Sequence, residues 1–89
     1  MSVLMSFKFT PAAWADYQDI KRFDTKTAEK IKALIADIMQ TPYSGLGKPE
    51  PLKYGLSGCW SRRINAKDRL VYRVQGDELE IISCRYHYK

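Results

Sequence analysis

Histidine and cysteine are scarce in this chain, and their scarcity narrows the chemistry open to it. Its 89 residues hold one histidine, His87, and two cysteines, Cys59 and Cys84. Neither cysteine belongs to a CxxC pair or a Cys/His ligand spacing, so a zinc site or disulfide framework is not expected. Both lie in apolar, strand-like runs and are expected as reduced, partly buried thiols. No cofactor or metal site is expected. The opening residues MSVLMSF carry no basic segment and no apolar run long enough for a signal peptide or a membrane span. The expected location is therefore the cytoplasm, with no membrane partner. No internal linker is expected either, and a chain of this length predicts one domain over residues 1–89 with a single modest core.

What the chain does have is positive charge, unevenly placed. Fifteen Lys and Arg against ten Asp and Glu leave a formal net charge of +5. Residues 1–47 contribute six basic and five acidic side chains, whereas residues 48–89 contribute nine and five. The surplus in the second half points to an anionic partner: RNA, DNA or an acidic protein segment. A solvated basic surface without a partner is the bland alternative, and charge alone does not separate the two.

Apolar spacing gives the elements. Residues 4–9, with Phe7 and Phe9 separated by Lys8, fit an opening strand. Thr10-Pro11 reads as a helix cap with proline in the first turn, where its missing N–H costs nothing. Ala13, Tyr17 and Ile20 give that helix its apolar face, flanked by Trp14, while Asp16, Asp19, Lys21 and Arg22 are expected to face water. Asp24 can cap a second helix on which Ala28, Ile31, Leu34, Ile35 and Ile38 recur at amphipathic spacing until Thr41-Pro42 ends it. Residues 42–51 hold two glycines and three prolines, which predicts a loop with stiff points. Strand-like segments follow at 59–64, 69–75 and 79–86, with turns at 65–68 and 76–77, and these predict an antiparallel meander. Alternation puts Leu70, Tyr72 and Val74 toward the helices and Arg69, Val71 and Arg73 on the other face. It likewise separates Arg63 from Trp60 and Ile64, making Arg63 the better substrate-facing candidate than Arg62.

Residues 48–74, KPEPLKYGLSGCWSRRINAKDRLVYRV, set one carboxylate, Glu50, between two prolines and follow it with Lys53, Arg62, Arg63, Lys67, Arg69 and Arg73. An acid, a histidine and several guanidinium groups form the set used by metal-independent ribonucleases. A base removes the 2′-hydroxyl proton, the freed oxygen attacks phosphorus, an acid protonates the departing 5′-oxygen, and cations stabilise the phosphoryl charge. Glu50 would be the base, His87 the acid and Arg69 the main charge stabiliser. Each has a plainer reading: Glu50 as a surface loop acid, His87 as an exposed terminal side chain, Arg69 as a strand-edge charge that deters aggregation. Tyr54, Tyr86 and Tyr88 are open to base stacking, Tyr88 foremost, whereas Trp60 and Tyr72 read as core. Whether His87 lies across from Glu50 depends on strand register, which the sequence does not fix.

With KPEPLK, LSGCWSRRI, DRLVYRV and CRYHY in place, the chain resembles the YoeB branch of the RelE/ParE toxin superfamily of type II toxin–antitoxin systems over nearly its whole length. The resemblance implies an α+β fold, a small twisted antiparallel sheet packed by two N-terminal helices. It implies a ribosome-dependent mRNA endoribonuclease acting in the A site. It matches Glu50 to the general base, Arg69 to the phosphate-stabilising arginine, His87 to the general acid and Tyr88 to the neighbouring tyrosine. Lys53, Arg62 and Arg63 fall where the family has basic residues near substrate or ribosome. As partners it implies the ribosome and its message, a YefM/Phd-like antitoxin whose C-terminal segment wraps the toxin, and homodimerisation. Lys89 after the usual terminal tyrosine, a slightly longer N-terminus and Cys59 at an often aromatic position are departures from the pattern. Two rival readings stand beside this one: a non-catalytic nucleic-acid-binding module using the same basic face, and a gyrase-inhibiting toxin on the same scaffold. Those gyrase-directed relatives lack the Glu and His set.

Overall fold

The structure, a computed structural model, describes residues 4–86. Strand β1 (Ser6–Phe9) leads into helices α1 (Pro11–Phe23) and α2 (Thr25–Gln40). After a long loop come β2 (Glu50–Pro51), a single 3₁₀ turn (Tyr54–Leu56), β3 (Trp60–Arg63), β4 (Arg69–Gln75) and β5 (Glu78–Tyr86). The five strands form one sheet in the order β1-β5-β4-β3-β2.

The helix boundaries follow their caps. Thr10 Oγ1 accepts from the Ala13 N–H at 3.1 Å and donates to the Ile82 carbonyl at 3.2 Å, so one side chain caps α1 and ties it to the sheet. Asp24 serves both helices. Its N–H closes the end of α1 on the Ile20 carbonyl, and its carboxylate accepts from Thr27 N–H and Oγ1 at the start of α2.

Between β2 and β5 every pairing is antiparallel, as the turns predict. The sheet is nonetheless mixed, because β1 pairs with β5 in parallel. A parallel neighbour needs a long crossover, and the two helices with all that follows supply it. The opening strand thus closes the sheet on its far side, a placement that local spacing does not encode.

Both helices cover one face. Ala13, Tyr17 and Ile20 of α1 and the aliphatic stripe of α2 bury against Leu70, Tyr72, Leu79, Ile81 and Cys84. On the opposite face Leu52, Cys59 and Val71 form a smaller apolar cluster with Leu56, Ile82 and Tyr86 packed beside it. Both cysteines are free and buried. Burial, reinforced by the nearby Asp16 charge, pushes the Cys84 thiol up to about 12.

Strict alternation fails in β5. The pairing register of β4 with β5 shifts between Arg69 and Val71 and again between Val71 and Tyr72. These irregularities turn Cys84 into the helix-covered core while Ile82 and Tyr86 pack on the other face. Helix α1 reaches this stretch through Asp16, which is half-buried in departure from the expectation that it faces water, whereas Asp19, Lys21 and Arg22 are exposed as expected. Asp16 accepts from the Cys84 N–H at 3.3 Å, and Asp19 pairs with Arg85 at 2.6 Å.

Candidate active site

Of the residues singled out in the sequence, Glu50, Arg63 and Arg69 lie together on the face away from the helices, at the end of the sheet where β2, β3, β4 and the last described residues of β5 lie side by side. Glu50 is not in a loop; it opens the two-residue strand β2, opposite Ser61 of β3. Arg63 lies opposite Arg69, and Arg69 lies opposite Tyr86. Directly opposed residues share a face, so Arg63, Arg69 and Tyr86 form one row across three strands with Glu50 on an adjoining row.

Arg69 Nη1 donates to Glu50 Oε1 at 3.2 Å. The Glu50 side chain is 48% exposed and that of Arg69 18%. The pair therefore sits where a ligand can reach the carboxylate while the sheet steadies the guanidinium. Arg63 is exposed and faces Arg69 across the strands; like charges opposed in this way repel, and a bound anion would relieve the repulsion. Lys53 is also exposed, three residues beyond Glu50. Arg73 is engaged elsewhere, with Glu80. His87 and Tyr88 lie outside the described residues, which end at Tyr86 opposite Arg69.

Arg62, expected among the substrate-facing cations, has a different place. Its side chain is fully buried on the helix side, as alternation with Arg63 requires. All five of its donors are used: Nε bonds the Tyr72 hydroxyl, Nη1 the Asp37 carboxylate and the Leu46 carbonyl, and Nη2 the carbonyls of Thr41 and Ser44. Tyr72 passes the network on by donating to the Pro42 carbonyl at 2.6 Å. Asp37 also accepts from the Leu46 N–H at 3.0 Å. That bond, then the Arg62 guanidinium, holds its carboxyl below the usual carboxylate range, whereas burial raises the Tyr72 phenol.

The loop before Glu50 is thus wound around a buried cation. Two of its glycines show how tightly. Gly45 has φ +113° and an added Cβ would lie 2.2 Å from Asp37 Oδ2; Gly47 has φ +78° and a Cβ there would meet the Arg63 carbonyl and the Arg62 side chain. Gly47 in turn accepts from the Arg63 N–H at 2.7 Å, which fixes the chain two residues before Pro49 begins the approach to β2. Asp37 is the residue that sequence reading missed. Its signal was present but faint: an acid near the end of α2, followed by two glycines in a loop otherwise stiffened by proline.

Among the described residues no three His, Cys, Asp or Glu side chains gather in a way that could hold a metal ion, and no helix is long and apolar enough to cross a membrane.

The chain as a whole is similar to known proteins. The family model for the YoeB-like toxin of bacterial type II toxin–antitoxin systems matches residues 9–88. Toxin YoeB of Synechocystis is 49% identical over 85 residues, covering 96% of this chain and 99% of the relative. A YoeB dimer from Staphylococcus aureus superimposes with a TM-score of 0.89 at 42% identity, covering 98% of this chain and all of the other. The toxin in a heterotetrameric YoeB–YefM toxin–antitoxin complex from the same organism gives 0.86 at 43% identity, covering 96% and 98%.

Proposed function

This chain belongs to the YoeB-like toxins of bacterial type II toxin–antitoxin systems, and from that premise we propose that it is a cytoplasmic, metal-independent endoribonuclease that cuts messenger RNA in the ribosomal A site and so stops translation. The observation that carries the reading is the Glu50–Arg69 contact beside the row Arg63, Arg69 and Tyr86, from which the chain passes directly to His87.

Glu50 takes the proton from a 2′-hydroxyl. That oxygen attacks the adjacent phosphorus, the P–O5′ bond breaks, and His87 protonates the departing 5′-oxygen, leaving a 5′-hydroxyl and a 2′,3′-cyclic phosphate, or a 3′-phosphate once water opens the ring. Arg69 accepts the phosphoryl charge that builds up in the transition state, with Arg63 and Lys53 drawing the strand in and Tyr88 stacking on a base. A histidine suits the acid role because its ordinary pKa lies near neutrality. The Arg69–Glu50 pair keeps the guanidinium aimed at the place the phosphate will occupy, so little reorganisation is needed when it arrives.

A YefM/Phd-like antitoxin is the proposed protein partner and a homodimer the proposed free assembly, by likeness to the S. aureus relatives. The test of the catalytic reading uses ribosomes paused on a defined message, with cuts mapped for the wild type, Glu50→Gln, His87→Gln and Arg69→Ala. Each acid–base change is expected to slow cutting by about 10²- to 10⁴-fold, and loss of Arg69 by about 10²- to 10³-fold. Undiminished cutting by Glu50→Gln and His87→Gln would rule out this acid–base assignment, whereas salt-sensitive binding by the wild type with no cut product would leave a non-catalytic nucleic-acid-binding module as the better description.

A further inference from the structure

Six described residues adopt positive φ in this fold, and four of them are glycine: Gly45, Gly47, Gly58 and Gly76. The other two are Lys48 at φ 52° and Tyr54 at φ 61°, and they bracket Glu50 and the two-residue strand it opens. Side chains with a Cβ pay in backbone energy to sit in this region, a bulky one most clearly, whereas glycine does not.

Packing does not offset that cost. Tyr54 is 92% exposed, and among the described residues its ring touches no other aromatic and its hydroxyl has no partner. Lys48 is likewise exposed, with no ion pair among the described residues. The turn that carries Tyr54 is nonetheless well defined, because its carbonyl accepts from both the N–H and the Oγ of Ser57, at 2.9 and 2.8 Å. An ammonium and a phenol ring are thus held into solvent on either side of the carboxylate, each in a conformation where strain clusters at functional positions.

We propose that Lys48 and Tyr54 are RNA-binding residues that grip the message strand on both sides of Glu50, Lys48 through a phosphate and Tyr54 by stacking on an unpaired base. The pairing of one cation with one aromatic is the chemistry that holds single-stranded RNA without reading its sequence. This inference rests on the proposed function in one respect, that a message strand lies across Glu50.

The test separates the two readings by measuring binding apart from cleavage. Ribosomes are programmed with a message whose A-site nucleotides are 2′-deoxy, which lack the attacking hydroxyl, and dissociation constants are measured for the wild type, Lys48→Gly, Tyr54→Gly and Tyr54→Phe. Tyr54→Gly is expected to bind about tenfold more weakly and Tyr54→Phe like the wild type. Lys48→Gly is expected to reduce the salt dependence of binding by about one unit of slope. Both glycine variants should melt at or above the wild-type temperature, because glycine relieves the backbone. Glycine variants that bind as tightly as the wild type, or that weaken only in step with a lower melting temperature, would overturn the proposal. Equal weakening on ribosomes without message would overturn its assignment to the message strand. Tight wild-type binding without cutting of the all-ribose message would remove the nuclease reading while leaving the grip intact.

Discussion

Arg62 and Arg63 are neighbours in sequence with opposite surroundings, and the difference is geometric. Successive residues of β3 point to opposite faces, so one guanidinium is enclosed under α2 and its loop while the next is exposed opposite Arg69. Enclosure is tolerable because every Arg62 donor finds an acceptor, one of them the Asp37 carboxylate. Removing it leaves Asp37, the Tyr72 hydroxyl and three loop carbonyls without their common donor. Arg62→Met is therefore expected to cost about 3–5 kcal/mol of stability, read as the shift of a urea unfolding midpoint at constant slope. Arg63→Met, on an exposed site, should leave that midpoint within about 0.5 kcal/mol of wild type. A midpoint unchanged in Arg62→Met would show that the loop does not depend on its enclosed cation.

Among the elements, β5 shows where pattern reading stops. The helices were legible because Thr10, Asp24 and the apolar stripes act locally, and the meander was legible because its turns do. The parallel pairing of β1 with β5 joins residues about seventy positions apart, as Ser6 with Glu78, and no local signal carries it. Likewise, apolar residues on both sides of β5 hide its two register shifts, and only the packed structure reveals that α1 secures the shifted backbone. In the candidate site, Glu50 and Arg69 could be picked out by residue type and by resemblance, whereas their contact depends on the pairing of β2 with β3 and of β3 with β4. If Asp16 and Asp19 are what hold the end of β5, their loss should be felt there first. In the double variant Asp16→Ala/Asp19→Ala, amide hydrogen exchange at Cys84, Arg85 and Tyr86 is expected to quicken more than tenfold while the amides of β4 stay protected. Global stability should fall by no more than about 1–2 kcal/mol, as for an exposed ion pair and one hydrogen bond. Uniform quickening along the whole sheet would contradict this local role.

For the molecule as a whole, the acid limb of stability is set in part by the carboxylates that the fold has already engaged. Asp37 is depressed below its ordinary value of 3.8 by the Leu46 N–H and by Arg62, and Asp24 by the Thr27 hydroxyl and N–H. As pH falls the unfolded chain takes up these protons before the folded one does. Their contribution is therefore fully present above the ordinary carboxylate range and is lost as pH drops through the depressed folded values. Urea unfolding between pH 6 and pH 2 is expected to show stability falling below about pH 4, with a shallower fall in Asp37→Asn, which starts from a lower plateau. An unaltered acid slope in that variant would mean that other carboxylates dominate.

The position of β5 also bears on how the molecule comes into being. It is the last of the described elements to be synthesised, yet in the sheet it stands between β1 and β4 and carries much of the surface that α1 covers. A nascent chain that lacks it has helices left with only the β3 and β4 part of their apolar partner surface, and an opening strand with no neighbour. Sheet closure must wait for the final strand, and the row that ends in Tyr86 cannot assemble before then. If the molecule cuts messages on ribosomes, the order of its strands keeps it harmless to the ribosome that is still making it.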